Sequence, residues 1–118
     1  SVRWLANLPV SGVKLHGLYV CGGTDLETDW KAGNYIPLEQ DEYALLAARA
    51  LTLLPSRVVV HRLTGDPSPG ELAAPDWALR KGETVRAIDA ILHMNDWWQG
   101  CRADCPARNL WANIPAPR

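Results

Sequence analysis

The pattern of apolar positions divides this chain into two strand-like stretches and several helices. Residues 40–54 place Tyr43, Leu46, Ala47, Ala50, Leu51 and Leu54 at i, i+3, i+4, i+7 spacing, which predicts a helix with one buried face, stopped by Pro55. Residues 83–94 repeat that period with Val85, Ile88, Ile91 and Leu92. Between these helices, residues 57–63 contain three consecutive valines, a short β-branched run of the kind buried on both faces of a sheet. Earlier, residues 12–20 form a strand candidate bounded by Gly12 and by Gly22-Gly23. Thr24-Asp25-Leu26-Glu27 has capping-box spacing and predicts a helix start at Thr24, with Gly33 ending it. Residues 2–8 read as the last turns of a further helix, closed by Pro9 and Gly12. Residues 64–81, with Pro67, Pro69 and Pro75, predict a long connection with one helical turn near 70–74. Irregular structure is expected from Asn95 onward.

Strands separated by helices imply a right-handed crossover and a parallel sheet. Two strands are few for such a sheet, which is normally covered on both faces and needs neighbours to hide its edges. A whole (β/α)₈ barrel takes about 250 residues. The expected fold class is therefore α/β, the C-terminal segment of a partial parallel (β/α) barrel of TIM-barrel type. Residues 1–95 would form its units and residues 96–118 an irregular, Trp-rich tail. The chain begins at Ser1 rather than Met and opens inside a helix, so a preceding segment is expected.

Composition narrows the functional classes. With 47% hydrophobic and 21% charged residues, the balance is that of a globular protein. Twelve Lys and Arg against thirteen Asp and Glu give a net charge of −1, against a stand-alone polyanion binder. No run approaches the roughly 18 apolar residues of a membrane span. Three cysteines are an odd number and too few for a disulfide scaffold, which points to a reducing compartment, the cytoplasm. Six tryptophans accompany no phenylalanine, and Trp77, Trp97, Trp98 and Trp111 are expected to pack a loop-rich end.

Alternation along residues 12–20 puts Lys14, His16 and Leu18 on one face, and Val13, Leu15 and Tyr19 on the other. The second set suits packing under helices. The first faces either a lumen, where Lys14 needs a carboxylate, a cofactor oxygen or water, or plain solvent at a sheet edge. The later strand ends in His61-Arg62-Leu63-Thr64-Gly65-Asp66, at the carboxyl end where α/β folds build ligand sites. Arg62 can fork onto a carboxylate or phosphate; equally, Arg62 and Asp66 can form an internal pair that shapes the turn. Cys101 and Cys105 lack a second, suitably spaced Cys or His pair for zinc, and the position that would complete a three-cysteine cluster loop is Arg108. No metal ligand is assigned. Cys21 has no base near it in sequence, and Gly22-Gly23-Thr24 is a short glycine loop of the kind that can hold an anion.

Together these pieces resemble a known family. Gly12-Val13-Lys14-Leu15-His16-x-Leu18-x-Val20 followed by Gly23-Thr24-x-Leu26 is similar to the late strand and Gly-Thr-x-Leu turn of radical-SAM barrels. Glu42-Tyr43, Leu54-Pro55, Val58-Val59-Val60-x-Arg62-Leu63-Thr64-Gly65-Asp66, Ala74-Pro75-x-Trp77 and Gln99-Gly100 resemble, in order and spacing, the C-terminal half of YhcC-type radical-SAM proteins, relatives of the elongator catalytic subunit. Gly22 departs from the Lys often found before Gly-Thr there. The resemblance implies a parent enzyme whose [4Fe–4S] cluster, on a three-cysteine loop, cleaves S-adenosylmethionine to a 5′-deoxyadenosyl radical. That loop is absent from this sequence, so no cofactor is expected on this chain alone. Lys14, His16, Leu18, Arg62 and Asp66 are the residues the resemblance would place near cofactor or substrate. The implied partner is the N-terminal part of the barrel, with tRNA entering by analogy alone. A second class also fits the sequence: a small α/β binding module that pairs with a partner through its open sheet edge.

Overall fold

The computed structural model describes residues 8–103. In chain order the elements are β1 (Gly12–Lys14), β2 (Val20–Cys21), α1 (Asp25–Lys31), α2 (Gln40–Leu53), β3 (Val59–Arg62), β4 (Leu72–Ala74), a 3₁₀ turn (Asp76–Leu79) and α3 (Lys81–Met94). β1 pairs with β3 in parallel, with Gly12 opposite Val59, Val13 opposite Val60 and, after a one-residue irregularity, Lys14 opposite Arg62. β2 pairs with β4 antiparallel. The described residues thus form a small α/β fold with one parallel and one antiparallel ladder.

Two helices hold the parallel ladder in place. α2 and α3 pack on one another, and their buried residues Tyr43, Ala44, Ala47, Ala48, Leu51, Ile88 and Leu92 form one cluster with Leu54 and Leu63. Val13, Leu15 and Val60 close onto it from the strands. The full burial of Leu51 and Ile88 stabilises the pair by roughly 1.5–3 kcal/mol each. The buried face of α2 lies beside the one periodicity predicts, because Ala44, Ala48 and Thr52 are covered while Leu46 is half-exposed. α2 opens with a reciprocal cap: Glu39 accepts from the Glu42 backbone N–H, and the Glu42 carboxylate accepts from the Glu39 N–H at 2.9 Å.

Four expectations need correction. The strand foreseen over 12–20 splits, because residues 15–19 leave the ladder after the Leu15 N–H bonds the Arg62 carbonyl at 2.8 Å, and the chain re-enters sheet only to pair with β4. β3 is not buried on both faces: Val59, His61 and Arg62 are exposed, and only Val60 turns toward the core. Valine content signals strand, but no second helical layer covers this one among the described residues. Residues 72–74 form β4 rather than a helical turn, since Val20 and Cys21 offer them a partner. At Thr24 the hydroxyl accepts from the Glu27 N–H at 3.3 Å as foreseen, but the Glu27 carboxylate reaches Gly23 N–H, at 3.1 Å, instead of Thr24. The helix foreseen over 2–8 and the tail beyond 103, with Cys105 and Trp111, lie outside the described residues, except for Leu8. No helix among the described residues is long and apolar enough to cross a membrane.

After α3 the chain turns back and straps the far end of α2. The buried Gln99 side chain donates to the Pro55 carbonyl at 3.0 Å and to the Val58 carbonyl at 2.6 Å. Gly100 N–H donates to Leu51 O at 3.0 Å, and Arg102 N–H to Thr52 O at 2.8 Å. Gly100 and Arg102 thus bond carbonyls of the last turn of α2, where intrahelical partners run out. The Arg102 guanidinium then sits 4.9 Å over the Trp97 ring. Replacing Gln99 by Ala is expected to lower unfolding free energy by about 1–3 kcal/mol in urea titration, because it strips a donor from two buried-side carbonyls. Gln99→Glu should cost more at neutral pH, since a carboxylate presents acceptors to acceptors. An unchanged urea midpoint for both variants would show the amide to be dispensable.

Candidate functional site

The carboxyl end of the parallel ladder is fixed from below by one phenol. Tyr43, on the first turns of α2, is buried and donates to the Leu63 carbonyl at 2.6 Å, just past the end of β3. Its ring lies 5.6 Å from that of Trp77. Trp77 is held in turn by donation from its indole N–H to the Leu38 carbonyl at 2.9 Å. Gly17 passes directly over the Tyr43 ring, where an added Cβ would stand 3.2 Å from ring carbon Cδ1. At Gly65 a Cβ would come within 2.9 Å of Tyr19 Cε1, so a side chain there would force the mouth open. Next to it, Gln40 donates to the buried Thr84 hydroxyl at 3.0 Å, tying α2 to the start of α3.

Above this floor lies a cleft of about 370 Å³, lined by His61, Arg62, Leu63, Thr64, Gly65, Asp66, Lys81, Gly82 and Val85. Its polar centre is Asp66. Lys81 Nζ donates to one carboxylate oxygen at 2.7 Å, while Arg62 approaches the other at 3.9 Å. The hydrogen bond and charge of Lys81 hold the Asp66 carboxyl below its ordinary value against a smaller opposing effect of desolvation, and the charge of Arg62 adds least. The Arg62–Asp66 pair expected from the sequence is present, but it is the looser of two. Lys81 had no motif to mark it. It is brought to the mouth by the connection through β4 and the 3₁₀ turn.

Lys14, His16 and Leu18 are all exposed, and Val13, Leu15 and Tyr19 are at least half covered, so the foreseen alternation of faces survives although only Val13 and Lys14 of these six remain in a ladder. Lys14 therefore has no buried charge to neutralise. None of these three lines the Arg62–Asp66 cleft; Leu18 borders instead a neighbouring pocket of about 20 Å³ together with Gly17, Tyr19, Tyr43 and Trp77, space for one water. The Gly22-Gly23-Thr24 loop offers no open anion cradle, because the Glu27 carboxylate already takes the Gly23 N–H. Cys21 and Cys101 are free thiols. No group of three or more His, Cys, Asp or Glu among the described residues could hold a metal ion, so these residues do not fit an iron–sulfur cluster, which takes Cys thiolates in a set.

Residues 10–94 match the model of the Radical_SAM C-terminal domain. The chain belongs to this family. It is 33% identical over 100 residues to the uncharacterized protein YtqA of Bacillus subtilis, covering 85% of this chain and 31% of that protein. It is 29% identical over 84 residues to protein YhcC of Escherichia coli K12, covering 71% of this chain and 27% of the relative. An uncharacterized protein of Methanocaldococcus jannaschii is 30% identical over 103 residues, 86% of this chain and 32% of its own length. The chain thus spans about a third of the length of these relatives. The family implies S-adenosylmethionine and a [4Fe–4S] cluster in the full protein.

Two measurements test this geometry. Asp66 should titrate below an ordinary aspartate when followed by carboxyl NMR, and Lys81→Met should move it back up; an unmoved titration would mean that the 2.7 Å contact does not persist in solution. Tyr43 is pushed up to about 12 by burial. Its raised folded-state pKa contributes stability that is intact below the unfolded value near 10 and is lost as pH rises toward 12. Tyr43→Phe should lower stability by about 1–2 kcal/mol at neutral pH and flatten that alkaline limb in unfolding curves.

Proposed function

We propose that this chain is the C-terminal part of a radical-SAM enzyme, supplying barrel wall and ligand contacts to a cluster held by another part of the full protein. One observation carries the reading: the family match over residues 10–94 includes the whole Arg62–Asp66–Lys81 cleft, which opens at the carboxyl end of a parallel strand. β1 and β3 would stand as late strands of a (β/α) barrel, with α2 and α3 as outer helices. The exposed edges of this two-stranded ladder would then be paired by other strands. Lys14, His16 and Leu18, on the face turned away from the helices, would contact cofactor or substrate, as would Arg62 and Asp66 at the mouth. A kinship with elongator-type enzymes, as the sequence motifs suggest, would make tRNA the substrate class by fold analogy. A cytoplasmic location fits oxygen-sensitive cluster chemistry and the free thiols. The described residues provide no ligand set for the cluster.

The test uses a protein in which this segment follows a three-cysteine loop, purified and reconstituted with iron and sulfide under anaerobic conditions. It should cleave S-adenosylmethionine to 5′-deoxyadenosine. Arg62→Ala should slow that cleavage by about tenfold or more, as expected for losing a charge-assisted contact, with the cluster absorbance retained. The 118-residue chain alone should bind no stoichiometric cluster. A natural open reading frame for this chain that encodes no such loop, joined to no partner that supplies one, would sink the proposal and favour a non-catalytic module that pairs through its sheet edge.

A further inference from the structure

The strand-mouth cleft carries more positive than negative charge. Lys81 and Arg62 both turn to Asp66, and no other carboxylate among the described residues lines the cleft. Lys14, the last residue of β1, is the register partner of Arg62, the last residue of β3, so a further cation lies beside the cleft without lining it. Like charges side by side on neighbouring strands repel, and the one aspartate of the cleft cannot neutralise both of its cations. The two cleft contacts are also unequal. Lys81 is held at 2.7 Å, whereas the 3.9 Å approach of Arg62 leaves the donors of its guanidinium fork largely uncommitted. The cleft, at about 370 Å³, is of small-ligand size.

A fork with spare donors, a short-held ammonium and a local surplus of positive charge suit a tetrahedral dianion better than a carboxylate. We infer that the cleft between Arg62, Lys81 and the 64–66 turn binds the phosphate group of a small phosphomonoester, with Asp66 as the internal counter-ion that holds the two cations until phosphate replaces it. Arg62 would transfer first, since its contact is the weaker. Thr64 and Gly65 border the same space and bring their polar groups to the turn that carries Asp66. This inference rests on the reading of the strand mouth as a ligand site and adds the class of ligand.

Binding is to be followed by amide NMR on the 118-residue chain at constant ionic strength, with inorganic phosphate and ribose 5-phosphate as probes and acetate as the carboxylate control. Saturable shifts are expected at Arg62, Gly65, Lys81 and Gly82, with acetate markedly weaker. Arg62→Gln and Lys81→Gln should each weaken phosphate by about tenfold. Asp66→Asn should tighten it several-fold by removing the competing carboxylate, a gain that a misfolded variant cannot imitate. Linear shifts without saturation, equal binding of acetate, or weaker binding by Asp66→Asn would overturn the inference. So would a single-stranded RNA that saturates the same amides far more tightly than ribose 5-phosphate, since the ligand would then be a polynucleotide. Phosphate binding and S-adenosylmethionine cleavage are separate readouts, so loss of one with the other intact shows which reading has failed.

Discussion

The Tyr43 hydroxyl and the Leu63 carbonyl make the bond on which the rest of the mouth depends. Helix α2 carries the phenol, β3 runs out into the carbonyl, and the ring beneath supports Gly17 and faces Trp77. A buried carbonyl without a partner costs about 1–3 kcal/mol, so this bond decides where the chain leaves the ladder. Everything that lines the cleft on its strand side lies within three residues of Leu63. The position of Arg62 and Asp66 is therefore set by a residue that touches neither.

That arrangement divides structural from chemical work. The apolar cluster of α2 and α3 holds Leu63 from one side and leaves the other side of the strand end open. Polar residues at that end meet little competition from packing, and they pair among themselves. Asp66 is the hinge of this pairing because it is the one carboxylate among several cations. The half-exposure of all three partners keeps each contact modest in strength, as suits groups that exchange partners when a ligand arrives.

Much of this was readable in the chain. Helix α2 and helix α3 follow from the period of Tyr43, Leu51, Ile88 and Leu92, and the parallel order of β1 and β3 follows from helices lying between them. Arg62 and Asp66 were legible because they close a strand. Lys81 was not, since its approach depends on β4, whose three residues have no strand signal until Val20 and Cys21 come alongside. Leu46 shows the opposite failure: it keeps helical spacing, yet α2 rotates its alanines inward and leaves Leu46 half-exposed. Period identifies a helix; which flank turns inward is decided by the partner. The family resemblance reached further than periodicity because motif order registers such tertiary partners indirectly. Gln99-Gly100 was legible as a motif without a reason, and the reason is the strap across α2.

That strap has a consequence for how the molecule is made. Gln99 bonds to carbonyls 44 and 41 residues earlier in the chain. A ribosome delivers α2 and β3 well before it delivers residues 99–102, and domains tend to fold as they emerge. Until the strap arrives, the end of α2 and the turn into β3 lack the donors of Gln99, Gly100 and Arg102, and the neighbouring apolar cluster lacks its cover at that end. Synthesis order thus runs against structural order here. The segment delivered last among these elements seals the one that the others pack upon, so a nascent chain halted before Gln99 would hold its helices without the closure that joins them.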